Sequence, residues 1–198
     1  ICDLLAGWLI YRLVHKRGNN TLALCLSFLY LINPAVIINS SAWGQVDSVF
    51  TLFVVLYIYY ISEKKLLPAC IFFAIGILIK PQALIFTPIL LLYLYQMLFL
   101  GSDWKQALKG IGIAAASSLG LLCVRMLPVA KNLSFMPVIN QYIETLASYP
   151  YASVNAYNFF ALVGGIWRDS NMPFLFLSYN TWSTIFIVGI VITCVYLF

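Results

Sequence analysis

Apolar residues run through this chain in long blocks broken by short polar stretches. Residues 1–14 are mostly apolar, interrupted by Asp3 and closed by Arg12, His15, Lys16 and Arg17. Gly18-Asn19-Asn20 marks a turn, and Thr21 can cap the next helix. Residues 21–32 are apolar and stop at Asn33-Pro34, because proline disfavours helical geometry in the residue before it. That block rises only ~18 Å at 1.5 Å per residue, short of a ~30 Å hydrocarbon core. Either the helix continues past Pro34 with a kink, or the polar stretch that follows dips into the membrane. Residues 49–61, 66–79, 83–100 and 110–127 follow as further spans, with Pro88 inside the third of these. Ser62-Glu63-Lys64-Lys65, Lys80-Pro81-Gln82 and the charged connection 101–109 separate them. After Pro128 the character changes: residues 129–180 are rich in Asn, Tyr, Ser and Pro and hold no clean span, and residues 178–198 begin another helix. The pattern predicts an all-α polytopic transmembrane helical bundle with about six or seven membrane helices, the seventh near residues 159–167. It reads as one transmembrane domain over 1–198, truncated at both ends, with 128–180 an extracytoplasmic segment between spans.

Composition sharpens this. Hydrophobic residues make up 63% of the chain, charged residues 9%, and the mean hydropathy is +0.96. A soluble domain carries about 25% charged residues, so that class is excluded. Barrel strands alternate over about 10 residues, and these blocks are longer and uniformly apolar. Cys2, Cys25, Cys70, Cys123 and Cys194 lie in apolar blocks without CxxC spacing, which supports neither a metal site nor a disulfide framework. Charge then orients the bundle. Arg12, Lys16, Arg17, Lys64, Lys65, Lys105 and Lys109 fall on alternate connections, so one side is basic and, by the positive-inside rule, cytoplasmic. The opposite face receives residues 33–48, the Lys80-Pro81-Gln82 turn and the long segment 128–180. The expected localisation is multi-pass in the cell membrane, with the site extracytoplasmic and no nucleic-acid partner.

Those three polar stretches carry the candidate chemistry. Asn33 to Ser48 holds two asparagines, three serines, Trp43, Gln45 and Asp47 between apolar runs. An unpartnered buried polar group costs roughly 2–7 kcal/mol, so such a cluster needs a reason. Asp47 can orient a sugar hydroxyl, bind a divalent ion or accept a proton; it, or Ser48, can equally cap the following helix. Lys80 stands at the outer end of two apolar helices, where a cation suits a phosphate as a point charge; Pro81 can open a helix N-terminus beside it. The plainer reading is a lysine snorkelling to the interface. Asn155 and Asn158 would share a helical face with Tyr157 beside them, a combination that suits sugar hydroxyls and ring stacking, or an interfacial aromatic belt. Arg125, Lys131 and Arg168 add positive charge on this face. Asp3 reads as polar glue between helices, and His15 as solvated.

At these stretches the chain resembles a known superfamily. Asn33-Pro34 leading into Trp43-Gly44-Gln45-Val46-Asp47-Ser48, then Lys80-Pro81-Gln82 with Pro88, then Ser153-Val154-Asn155-Ala156-Tyr157-Asn158, resembles bacterial integral-membrane glycosyltransferases of the GT-C superfamily. The nearest group is the one related to the second mannosyltransferase of GPI-anchor synthesis. The region around Gln45 is also similar to the polar loop of dolichyl-phosphate-glucose-dependent glucosyltransferases. The resemblance implies a GT-C-like bundle and an inverting, mannosyltransferase-like transfer from a polyprenyl-phosphate-linked donor to an acceptor hydroxyl of a lipid or glycan. It makes Lys80 a donor-phosphate contact, and Trp43, Gln45, Asp47, Asn155, Tyr157 and Asn158 site-lining residues; Gln82, beside Lys80, is a further substrate-binding candidate. It also implies that the usual catalytic aspartate lies in a loop upstream of Ile1, leaving Asp47 as the catalytic candidate within this chain.

No cofactor is called for, and a divalent metal requirement stays open. The competing function is a polytopic transporter or flippase of lipid-linked sugars or solutes without chemistry, since short, proline-interrupted helices also build transport sites.

Overall fold

The computed structural model describes residues 1–42, 44–101, 104–127, 136–147, 150–154 and 158–197. They form ten α-helices and one very short hairpin, divided into two compact units, Ile1–Arg125 and Met126–Phe198.

In the first unit α1 (Cys2–His15) packs against α2 (Asn20–Leu31) and α4 (Asp47–Ser62), and α4 packs in turn against α5 (Leu66–Ile79). Asn19, with extended backbone, caps α2 by accepting the Leu22 amide at 2.8 Å. Asn33 does the same for α3 (Pro34–Ile37), accepting the Ala35 amide at 2.9 Å with Pro34 in the first helical position. The chain therefore resumes as a helix past Pro34, continues as a π turn over Ile38–Ala42, and is bent by 45° at the break. A bend of this size fits a broken span and a re-entrant loop alike. Gly44, at φ +65°, turns the chain back into α4 from a conformation that side chains rarely adopt.

Close approach of α1 and α2 rests on Gly7. A Cβ built there would lie 2.8 Å from the Leu31 Cγ, and the Ser27 hydroxyl donates to the Gly7 carbonyl at 2.7 Å. At the junction of α4, α5 and the entrance to α6 (Thr87–Tyr95), Tyr57 is fully buried. Its ring stacks on Phe73 at 4.8 Å and its hydroxyl donates to the Phe86 carbonyl at 3.1 Å. Lys80 ends α5 in extended geometry, and Pro81–Phe86 form a 3₁₀ turn leading to α6, where Pro88 sits in the first turn and costs no internal hydrogen bond. A π turn over Gln96–Leu100 completes that segment. α7 (Trp104–Met126) starts earlier than the charge pattern predicted, so Lys105 and Lys109 lie on its first turns rather than in a connection.

Ala114 of α7 is buried in the core with Tyr57, Phe73 and Tyr93. The small residues around it allow this approach, but they also leave an apolar cavity of about 240 Å³ between α5, α6 and α7, lined by Cys70, Phe73, Leu94 and Ala115 among others. Ser118 lines it, and its buried Oγ has no hydrogen-bond partner among the described residues.

In the second unit, α8 (Met136–Ala147) and one helical turn, α9 (Phe159–Leu162), precede a hairpin pairing β1 (Pro173–Phe174) with β2 (Leu177–Ser178) and then α10 (Tyr179–Leu197). Phe160, Phe174, Tyr179 and Phe186 cluster edge to face and stacked around the hairpin. The seventh span expected near residues 159–167 is a single turn followed by Gly164 at φ +78°, which ends the helix.

Among the described residues, Pro81–Leu100 and Trp104–Val124 are long and apolar enough to cross a membrane, and the bent pair Asn20–Leu31 with Pro34–Ala42 makes a third if it counts as one span. α4, α5 and Tyr179–Thr193 are apolar but shorter. The chain is thus a mostly helical membrane protein; the described residues give two or three full-length candidate spans, and polar turns cut other apolar blocks short.

At the end of α4 away from Asp47, Lys16 ion-pairs with Glu63 and lies over the Tyr59 ring at 5.2 Å. The side-chain hydrogen bond between Lys16 and Glu63 pulls the carboxyl below its ordinary 4.5 and pushes the ammonium above its ordinary 10.5. The carboxylate's contribution is therefore complete above the ordinary carboxylate range and is lost as pH falls through the depressed folded value; the ammonium's is complete below its ordinary value and is lost as pH rises through the raised one. In thermal unfolding of the detergent-solubilised protein, the deficit of Glu63→Gln relative to the parent is expected near neutral pH and low salt, and to close on acidification. Ser118→Ala is expected to raise the unfolding midpoint, because removing an unpaired buried hydroxyl relieves a cost of about 1 kcal/mol or more. A lower midpoint would show that the hydroxyl is satisfied.

Candidate functional site

The polar end of the first unit is built from four short pieces of chain. The π turn over Ile38–Ala42 carries Asn39 and Ser40, the first turns of α4 carry Asp47, Ser48 and Thr51, the first turn of α1 carries Asp3, and the last turn of α2 carries Tyr30. Together with Val36 these side chains line one cavity of about 70 Å³. A water molecule takes up about 30 Å³ of liquid, so the cavity suits a small polar group and not a whole sugar ring.

Asp47 stands in the first turn of α4, yet its carboxylate serves other elements. Oδ1 accepts from the Lys80 ammonium and Oδ2 accepts from the Asn39 amide at 3.0 Å. Capping, the plainer reading of this residue, is not how the carboxylate is used. The pair is part-buried, with Lys80 32% and Asp47 30% exposed, so the two charges are neither screened as surface charges are nor isolated as in a dry core. It joins the start of α4 to the end of α5. The Gln45 amide donates to the Asn39 carbonyl at 3.2 Å, which closes the loop onto the same asparagine.

Asp3 sits across the cavity, where the Tyr30 hydroxyl donates to its Oδ1 at 3.3 Å. The bond to Tyr30 agrees with the reading of Asp3 as glue between helices, but the cavity makes it a site residue as well. Neither Asp3 nor Tyr30 was placed in the site by the sequence pattern. The available signal was an acid in an otherwise apolar block.

The other expected site residues fare differently. Gln45 is exposed, as is Gln82 in the 3₁₀ turn beside Lys80. Trp43, Asn155 and Tyr157 lie outside the described residues, as does Lys131. Asn158 belongs to the second unit, where its side chain caps α9 by accepting the Ala161 amide at 3.1 Å. Arg168 is exposed there. Among the described residues no group of three metal-ligating side chains converges.

A cycle of Asp47→Asn, Lys80→Gln and the double variant should show coupling. Either single change leaves a part-buried charge alone and is expected to cost about 1–3 kcal/mol, while the double variant should lose less than the sum. Additive losses in chemical unfolding would show the pair to be energetically idle.

The family described as GPI transamidase subunit PIG-U has a model that matches residues 1–196. A curated relative, GPI mannosyltransferase 1 of Candida albicans (strain SC5314 / ATCC MYA-2876), is 28% identical over 156 residues. That match covers 76% of this chain and 38% of the relative, so the chain spans well under half of the relative's length. The relative is fungal and a first mannosyltransferase by name, where the sequence motifs suggested bacterial proteins akin to the second. No solved structure matches the chain significantly. With a family model covering nearly its full length, the chain belongs to the PIG-U family.

Proposed function

We propose that this chain forms part of a GPI-anchor-related membrane glycosyltransferase that uses a polyprenyl-phosphate-linked sugar donor. The observation that supports it most is the cavity shared by Asp3, Tyr30, Asn39, Asp47 and Ser48 in an otherwise apolar helical unit. Two carboxylates, an amide and hydroxyls around one small space match the needs of a sugar hydroxyl that must be oriented and deprotonated.

In the proposed inverting reaction the acceptor oxygen attacks the anomeric carbon. The bond from that carbon to the donor phosphate oxygen breaks, leaving polyprenyl phosphate, and the acceptor proton passes to a carboxylate. Asp47 already accepts from Lys80 and Asn39, which lowers its basicity, whereas the described partner of Asp3 is the neutral Tyr30 hydroxyl. We assign Asp3, held by a hydroxyl rather than by a cation, as the proton acceptor, with Asp47 a positioning residue. Lys80 would contact the donor phosphate by exchanging its carboxylate partner for it. Gln45, Gln82, Trp43, Asn155, Tyr157 and Asn158 remain proposed sugar or carrier contacts. A GT-C-like bundle of six or seven helices, an extracytoplasmic site and cytoplasmic basic turns belong to the same proposal. The membrane would be that of the endoplasmic reticulum rather than the cell membrane.

The family's description favours a second reading: a subunit of the GPI transamidase that uses this pocket to grip one polar group of a glycan or lipid without transferring a sugar. Transfer of labelled mannose from a polyprenyl-phosphate donor by the full-length protein in membranes separates the two. The transferase reading expects transfer, a loss of ~100-fold or more in kcat for Asp3→Asn, and a raised donor KM for Lys80→Ala. A parent protein that transfers nothing, yet is required for attaching GPI anchors to proteins, would sink the transferase reading and support the subunit.

A further inference from the structure

α8 (Met136–Ala147) differs in character from every neighbouring helix. Met136, Ile139 and Ile143 fall at i, i+3 and i+7 and gather on one sector, while Asn140, Gln141 and Glu144 occupy the next. Both sectors are open: Met136 is 58% exposed, Ile139 44% and Ile143 59%, and the three polar residues are exposed as well. Among the described residues, none of the extended helix–helix faces that hold the fold together involves α8. A helix of this length rises ~18 Å and cannot cross a ~30 Å core, and a span would have to bury Glu144.

The neighbouring sequence decides what the apolar sector meets. Residues 127–135 alone separate α8 from α7, an apolar helix long enough to cross a membrane, and they reach at most ~30 Å when fully extended. Downstream the chain returns to the apolar α10. α8 thus lies in the chain between two apolar helices, with an exposed apolar sector and an exposed polar one.

We propose that α8 is an in-plane membrane helix, lying at the lipid–water boundary with Met136, Ile139 and Ile143 toward the acyl chains and Asn140, Gln141 and Glu144 toward water. Its occupant is the lipid surface. Glu144 is the only charged residue in the helix, so attraction to anionic headgroups contributes little. Insertion of the apolar sector, aided by the high effective concentration that the flanking helices impose, holds it in place. This inference does not depend on the transferase reading.

The test uses the full-length protein in phosphatidylcholine nanodiscs, with native cysteines replaced. Ile139→Cys, Asn140→Cys, Ile143→Cys and Glu144→Cys each carry an environment-sensitive fluorophore. Nitroxide attached to shallow acyl carbons is expected to quench positions 139 and 143 several-fold more than 140 and 144, and aqueous iodide to show the reverse order. Replacing part of the phosphatidylcholine with phosphatidylglycerol should leave both patterns unchanged. Equal access of iodide to all four positions would put the helix in water and overturn the proposal. Protection of 139 and 143 from both quenchers would show that a protein surface covers them, which also overturns it. A marked gain in lipid quenching on adding the anionic lipid would overturn the account of apolar insertion.

Discussion

A charge set among apolar helices must be answered close by, and in the first unit Asp47 and Lys80 answer each other. They stand thirty-three residues apart in the chain, and much of the polar end follows from their meeting. The start of α4 is fixed to the end of α5; Asn39 is drawn in as the second donor; the π turn that carries Asn39 is oriented accordingly; and the loop amide of Gln45 closes onto the same residue. An isolated carboxylate or ammonium here would be costly to desolvate, so each is retained because the other is present. The same economy shapes the chemistry. A carboxylate with two donors is a weak base, and a lysine with a carboxylate partner is not a bare cation awaiting an anion.

Much of this was legible in the sequence. The composition and the apolar blocks pointed to a helical membrane protein, Asn33-Pro34 to the break, and the polar stretch 33–48 to Asn39, Ser40, Asp47 and Ser48 of the pocket lining, with Lys80 reaching Asp47 from outside that lining. What sequence could not give was which helices lie side by side. Asp3 and Tyr30 join the pocket only because α1 runs alongside both α2 and α4, and no local pattern around an acid in an apolar run announces that. Helix length alone does not give the six or seven spans, for a related reason. A window of hydropathy measures how apolar a block is, whereas the structure ends α4 and α5 where Glu63 and Lys80 find partners. The predicted helix near residues 159–167 shows the converse error. Apolar character alone did not extend it, because Gly164 in the left-handed region turns the chain.

The two functional readings ask different things of one pocket. Holding a glycan by one hydroxyl needs matched donors and acceptors, and a cavity of about 70 Å³ has room for that group alone. Transfer needs in addition a group that changes protonation during the reaction, which makes the asymmetry between Asp3 and Asp47 the chemically informative feature. Both carboxylates reach the space, but one is anchored by a cation and an amide while the other meets a neutral hydroxyl.

The contact between Gly7 and Leu31 bears on this pocket from a distance. Asp3 lies one helical turn from Gly7 on α1, and Tyr30 immediately precedes Leu31 on α2. The missing Cβ at Gly7 lets the two helices close until the Leu31 side chain fills its place, and that spacing brings the Tyr30 hydroxyl within reach of Asp3. A methyl group at position 7 would therefore act as a wedge at a hinge. A displacement of a few tenths of an ångström between the helices is enough to stretch a 3.3 Å hydrogen bond past usefulness. The hydrogen bond between Tyr30 and Asp3 is thus set by a packing tolerance one turn away, in a residue that has no side chain to offer.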